Sequence, residues 1–239
     1  MYQVMDGVLW RIEGQQLKDL IVLTCIIILT MTRFPGEGVR CRWKFTGKMD
    51  LLKVEQDRQK WNKKYSENSY DSEISQIVKR YYSYAPKGQA LDIAAGMGQN
   101  SFFLSEKGFT VDAVDISDYA IENIRHENSS INTIEADLDT FVIEPEHYEF
   151  IINIKFLQRR LFPYIKEGLK KHGLLIFESY IETEDMNLKR PYSRDYLLRK
   201  NELLHSFLSL RIIYYCEEKT EPSPGEIIYK ASLAGLKQG

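Results

Sequence analysis

From Gln89 to Phe177 the chain repeats one pattern: a short apolar run, a helical stretch ended by glycine, then another short apolar run. A parallel strand must be followed by a long return connection, usually a helix, so this alternation points to βα units around a mostly parallel sheet. Ala90 to Ala94 reads as the first strand, followed by a helix through Phe102, Phe103 and Leu104 that stops at Gly108. Phe109 to Val114 is the second strand, and Ser117 is placed to cap a helix carrying Tyr119, Ala120, Ile121 and Ile124. A short third strand falls at Ile131 to Ile134 and an apolar fourth at Phe150 to Ile154, interrupted only by Asn153. The next helix is expected from Pro163 to Lys171, with Lys170 and Lys171 in its last turn and Gly173 closing it, before a fifth strand at Leu174 to Phe177. Leu210 to Tyr215 and Ile227 to Leu236 are separated by a polar loop with Pro222, Pro224 and Gly225 and no helix, so they should pair antiparallel.

Composition narrows the partners. The 239 residues suit one α/β domain with an appendage. A net charge of −2 lacks the basic excess that drives binding to phosphate backbones, so nucleic acid is not an expected partner. Cys25, Cys41 and Cys216 form neither a disulfide framework nor a zinc motif, and the expectation is a reduced, cytoplasmic protein. The longest apolar run, Leu20 to Met31, is too short to span a bilayer, and it lacks the basic flank and cleavage site of an export signal, so no stable membrane anchor is expected. Residues 1–48 carry seven Lys and Arg against four Asp and Glu, whereas the rest of the chain is acidic. This segment reads as an N-terminal extension, either real or lying upstream of a natural start at Met49, and residues 49–239 read as the functional domain.

The loop after the first strand holds the chemistry: Asp92, Ile93, Ala94, Ala95, Gly96, Met97, Gly98, Gln99, Asn100. Gly96 and Gly98 allow a ligand to approach the backbone at the carboxyl end of the strand. Asp115 ends the second strand 17 residues after Gly98, where a carboxylate accepts both ribose hydroxyls. A nucleoside cofactor follows. The third glycine of the dinucleotide fingerprint is replaced by Ser101, and Asp92 beside the turn would repel a pyrophosphate but suits a ligand with an ammonium and a sulfonium. The cofactor these features fit is S-adenosylmethionine. Asp137, after the third strand, adds a carboxylate that an adenine amine can meet.

On these residues the chain resembles the class I S-adenosylmethionine-dependent methyltransferases, whose first motif, acid-x-Gly-x-Gly-x-Gly, matches Asp92 to Gly98 except for Ala94 at the first glycine. Within that class it looks most similar to the small-molecule enzymes of the tellurite-resistance and thiopurine type, through LDIAAGMGQNSFFLSEKGFTVDAVDIS and the Phe162-Pro163 helix after FIINIKFLQRR. The resemblance implies a Rossmann-like, doubly wound α/β fold with seven strands in the order 3-2-1-4-5-7-6 and the last strand antiparallel. It implies that Asp92, Ala94, Ala95, Gly96, Gly98 and Asn100 line the methionine part of the cofactor. Asp115 and Ile116 would hold the ribose and adenine, Asp137 and Leu138 the adenine, and Asn153 the floor near the methyl group.

The remaining candidates are weighed singly. Trp61 and Tyr65, four residues apart, form either a core stripe or a cap over the cofactor. Arg159 and Arg160 follow the fourth strand and either hold an anionic acceptor or are solvated, and Tyr180 and Glu182 face the same edge. His126, His147, His172 and His205 share no metal-binding spacing, and no metal is expected. Nothing resembles a Ser-His-Asp or Cys-His set, so no catalytic residue is assigned. The expected function is methyl transfer from S-adenosylmethionine to a small-molecule nucleophile by direct in-line displacement. The alternatives are an NAD(P)-dependent oxidoreductase and a non-catalytic cofactor-binding domain.

Overall fold

The computed structural model describes residues 2–5, 8–11, 48–67, 73–183, 196–223 and 226–239. The chain divides into two units, residues 1–55 and 56–239. In the first, strands β1 (Tyr2–Met5) and β2 (Val8–Arg11) pair antiparallel. The apolar run Leu20 to Met31 lies outside the described residues, as do Cys25 and Cys41. No described helix is long and apolar enough to cross a membrane.

Helix α1 (Lys48–Ser66) leads into the second unit. There α2 (Gln76–Tyr81) is followed by β3 (Gln89–Ile93), α3 (Gln99–Glu106), β4 (Thr110–Asp115), α4 (Asp118–Glu127), β5 (Asn132–Glu135), β6 (Tyr148–Ile154), α5 (Leu161–Gly168), β7 (Leu169–Tyr180), α6 (Glu202–Ser206), β8 (Leu210–Ser223) and β9 (Glu226–Lys237). Seven strands form one sheet in the order β5-β4-β3-β6-β7-β9-β8, which is 3-2-1-4-5-7-6 counted within the sheet. All neighbours are parallel except β9, which runs antiparallel to β7 and β8.

Side chains alternate across this sheet, and each face is covered by helices, which is why the strands read as nearly continuous apolar runs. Leu91, Ile93, Ile151, Leu175 and Phe177 pack on one side with Leu161, Phe162 and Ile165 of α5 and Leu203 of α6. Ala90, Ala113, Phe150, Ile152 and Ile176 pack on the other with Ile77, Val78 and Tyr81 of α2, Leu104 of α3 and Ile124 of α4. Asp92 and Asp115 belong to this second face. Each lies at or next to the carboxyl end of its strand, where the register pairs Asp92 with Ala113 and Asp115 with Glu135.

One expected helix is corrected. The helix after β6 ends at Gly168, not at Lys171, and Lys170 and Lys171 lie in β7. Gly168 is its last residue, at a position where a Cβ would come within 2.5 Å of Ile143, and the chain turns extended at Leu169, which pairs with Tyr148. Lys170 binds Glu149 across the strands at 2.6 Å. Gly173 terminates no helix and lies inside β7, next to His172 at a φ of 65°, where the pairing with β6 shifts register. Ser117 caps α4 as expected, its hydroxyl accepting the Ala120 N–H at 3.1 Å.

Candidate functional site

The β3–α3 turn passes through three left-handed residues, Ala94 (φ 56°), Gly96 (φ 54°) and Gly98 (φ 81°). At Gly98 a Cβ would meet Ile124 at 2.7 Å, so only glycine lets α3 start this close to α4. Ala94 does adopt the left-handed region, and an L-residue there carries a strain of roughly 1 kcal/mol. The departure from the glycine motif thus leaves the turn in place but strained. Ala94→Gly is expected to raise the unfolding free energy by up to about 1 kcal/mol, checked by urea titration.

Gly96 sits against the carboxyl end of β4. Its N–H donates to Oδ2 of Asp115 at 2.8 Å, while the Ser117 N–H donates to Oδ1 at 2.9 Å. Asp115 is only 4% exposed, and burial raises its pKa against the lowering effect of the N–H donors of Ser117, Gly96 and Ile116. Each carboxylate oxygen has a second lone pair for a ribose hydroxyl. Asp92 is 1% exposed and accepts the Ser101 hydroxyl at 2.7 Å. Its pKa is pushed up to about 7, first by burial and then by the charge of Asp115, with the Ser101 hydrogen bond opposing. Ser101, which in the sequence marks only a missing third glycine, is the partner of the motif's acid.

Tyr65 of α1 completes this group. Its hydroxyl lies 3.1 Å from where a Cβ of Gly96 would stand, and burial next to Asp115 and Asp92 drives its pKa well above that of an ordinary tyrosine. Trp61 stacks on Tyr65 with ring centroids 5.7 Å apart. Tyr65 therefore lies over the glycine turn, with Trp61 stacked against it.

Other residues named from the sequence are placed differently. Asn100 accepts the Ser75 N–H at 3.0 Å, tying α3 to the start of α2. Ile116 is half-buried after Asp115. Asp137 accepts the Asp139 N–H at 2.9 Å, folding the loop that buries Leu138. Arg160 donates to the Leu138 carbonyl and so anchors that loop. Asn153, 1% exposed, donates to the Phe156 carbonyl at 2.7 Å and shapes the turn leaving β6. Tyr180 ends β7, half-buried. Arg159 is exposed but engaged: its guanidinium binds both oxygens of Glu202, at 2.6 and 2.9 Å, and the Leu197 carbonyl at 2.8 Å. Arg159 holds the Glu202 pKa low. Sequence reading missed Glu202 and also Asn62 and Arg58 of α1, because their partners lie far along the chain.

The turn that only small residues can form, the acid at the end of β4 and the buried motif acid suit a nucleoside carrying positive charge. The fold around them is that of the S-adenosylmethionine-dependent methyltransferases. A family model described as tellurite resistance protein TehB matches residues 53–223, and the chain belongs to that family. It is 28% identical over 144 residues to a probable S-adenosyl-L-methionine-dependent methyltransferase TehB of Haemophilus influenzae, covering 56% of this chain and 49% of the relative. The chain thus spans about half the length of the curated relatives it matches. The crystal structure of TehB from Haemophilus influenzae superposes with a TM-score of 0.63 at 20% identity, over 74% of this chain and 67% of that one. A methyltransferase structure from Methanosarcina mazei superposes at 0.56 and 16% identity, over 70% and 99%. These likenesses support the class reading over the oxidoreductase alternative.

Proposed function

We propose that the chain transfers the methyl group of S-adenosylmethionine to a small-molecule nucleophile by direct in-line displacement. The observation that carries this reading is the buried pair Asp92 and Asp115 flanking the Gly96 turn. When bound, the cofactor supplies an activated methyl carbon. Asp92 would meet the positive charge of its methionine end, the backbone around Ala94, Ala95, Gly96 and Gly98 would allow close contact, Asp115 and Ile116 would hold the ribose and adenine, and Asp137 and Leu138 would flank the adenine. The acceptor's lone pair forms the new bond to carbon as the carbon–sulfur bond breaks toward sulfur, leaving neutral S-adenosylhomocysteine. The chain's task is to hold the acceptor about 3 to 3.5 Å from the methyl carbon and in line with the sulfur.

The acceptor that fits best is a soft anion. A thiolate or a chalcogen oxyanion needs no strong base, and the family's name attaches it to tellurite. With Arg159 bound to Glu202, Lys64 of α1 is a second candidate cation, its pKa lowered by burial and by the nearby positive charges of Lys60 and Lys155. Lys64 also lies over the Trp61 ring at 4.6 Å. We assign the activity to residues 49–239.

Calorimetry is expected to show binding of S-adenosylmethionine and S-adenosylhomocysteine but not of NAD. A chain begun at Met49 should bind with the affinity of the whole. With a methyl-labelled donor, thiols, selenite or tellurite should be labelled in preference to alcohols and amines, with the rate following the acceptor's ionised fraction. Saturable NAD binding would overturn the cofactor assignment, and a covalent methyl-enzyme seen by mass spectrometry would overturn direct transfer.

A further inference from the structure

Three residues of α1 spaced as one helical face, Arg58, Asn62 and Tyr65, meet the carboxyl edge of three adjacent strands in turn. Arg58 pairs with Glu135 at the end of β5 at 3.1 Å. Asn62 meets the turn after β4, and Tyr65 lies over Gly96 after β3. Of the three, Asn62 makes the most specific contact. Its Oδ1 accepts the Ser117 hydroxyl at 2.6 Å and its Nδ2 donates to Oδ1 of Asp118 at 2.5 Å. One neighbour gives a proton and the other takes one, and an amide of this length satisfies both while a carboxylate cannot. Ser117 is fully buried, caps α4 and bonds through its N–H to Asp115, so the amide of Asn62 bonds a residue two places along the chain from the proposed ribose acid.

The same pair stands at the boundary between closed and open space. On the inner side Asp115 and Asp92 are almost wholly buried under Tyr65. On the outer side lies an open groove of about 570 Å³, lined by Lys63, Ser66, Tyr119 and Glu122 together with Asn62 and Asp118 themselves. The groove is thus lined by both partners of the Asn62–Asp118 hydrogen bond, and Asn62 also bonds Ser117, two residues along the chain from Asp115.

We propose that Asn62 is a positioning residue that latches α1 over the cofactor cleft, and that breaking its bonds to Ser117 and Asp118 opens the route from the groove to Asp115 by which the nucleoside enters and leaves. The inference rests on the cofactor assignment above. Asn62 touches neither cofactor nor acceptor in this role: it acts by holding Tyr65 against the Gly96 turn.

The test is the dissociation rate of labelled S-adenosylhomocysteine from the full chain, chased with unlabelled ligand. Asn62→Asp keeps an acceptor for Ser117 but sets a carboxylate against Asp118, and it should raise the rate about tenfold, equivalent to 1.4 kcal/mol. Asp118→Asn alone retains an acceptor for Asn62 and should stay near the parent rate. In Asn62→Asp combined with Asp118→Asn the donor and acceptor are exchanged, and the rate should return close to the parent's. Rescue in the exchanged pair shows that the effect runs through this hydrogen bond, and thermal melting of all three variants separates unfolding from unlatching. A parent that fails to bind S-adenosylhomocysteine removes the cofactor assignment itself. A parent that binds, with an unchanged rate in Asn62→Asp or no rescue in the double variant, overturns the latch alone.

Discussion

Asp92→Asn is expected to stabilise the fold at pH 8 while weakening the cofactor. The Asp92 carboxyl titrates near 7 in the folded protein, against an ordinary value of 3.8 when unfolded. Above pH 7 both states are ionised, and the folded state bears the whole cost of a charge buried at 1% exposure, about 4 kcal/mol for a shift of that size. Between 7 and about 4 only the folded state takes up the proton, so falling pH recovers that stability through this window. Asparagine carries no charge to bury and still accepts from Ser101, less strongly. The net gain at pH 8 should be about 2 to 3 kcal/mol, shrinking toward zero near pH 4, as read by urea unfolding across the range. The cofactor's positive charge favours the ionised Asp92. Parent affinity for S-adenosylmethionine should therefore fall as pH drops below 7, with a proton released on binding. The variant should bind one to two decades more weakly at pH 8, without that pH dependence. A variant that loses stability at pH 8, or keeps parent affinity, would show that Asp92 is not a buried charge held for a cation.

Asp115→Ala should act mainly on binding. Its carboxylate holds the N–H groups of Gly96 and Ser117, and in the proposed site it is the acceptor for two ribose hydroxyls. Charge-assisted hydrogen bonds are worth roughly 1.5 to 3 kcal/mol each, so losing both to the ribose should cost at least about two decades in cofactor affinity. The folded protein loses less, because removing a carboxylate whose burial already disfavours its charge offsets part of the orphaned N–H groups. Asp115→Asn keeps one acceptor oxygen and should fall between the two. Calorimetry beside thermal melting resolves the effects, and an alanine variant with unchanged affinity would place the ribose elsewhere.

The features that could be read from the chain are those carried by neighbours in sequence. Gly96, Gly98 and the acid 17 residues beyond define a turn and a strand end within one βαβ unit, and the strand order came only through the family resemblance that those residues carry. The misplaced helix end had two glycines to choose between. Gly173 looked like the terminator because two lysines precede it, but Gly168 is the one pressed against Ile143 from a distant loop. The pairing of Arg159 with Glu202 is invisible locally because the two lie 43 residues apart. Asn62 is 55 residues from Ser117 and sits between lysine and tryptophan in a polar helix, with no local sign of its role. Ser101 was visible only as a broken motif, since a hydroxyl meant for a buried carboxylate and a hydroxyl left in place of glycine look alike in sequence.

The position of β9 bears on how such a chain matures. It is the last described strand to be made, yet it lies inside the sheet, between β7 and β8, and pairs with β7 from Leu174↔Leu236 to Tyr180↔Lys230. Until Glu226–Lys237 leaves the ribosome, β7 keeps an unpaired edge, and that edge includes Glu178, whose buried carboxylate waits for Ser232 and Lys230. The nascent protein can thus assemble its glycine turn early while its sheet stays open on the other side, exposed to chaperones and to edge-to-edge pairing with other chains until β9 has been made.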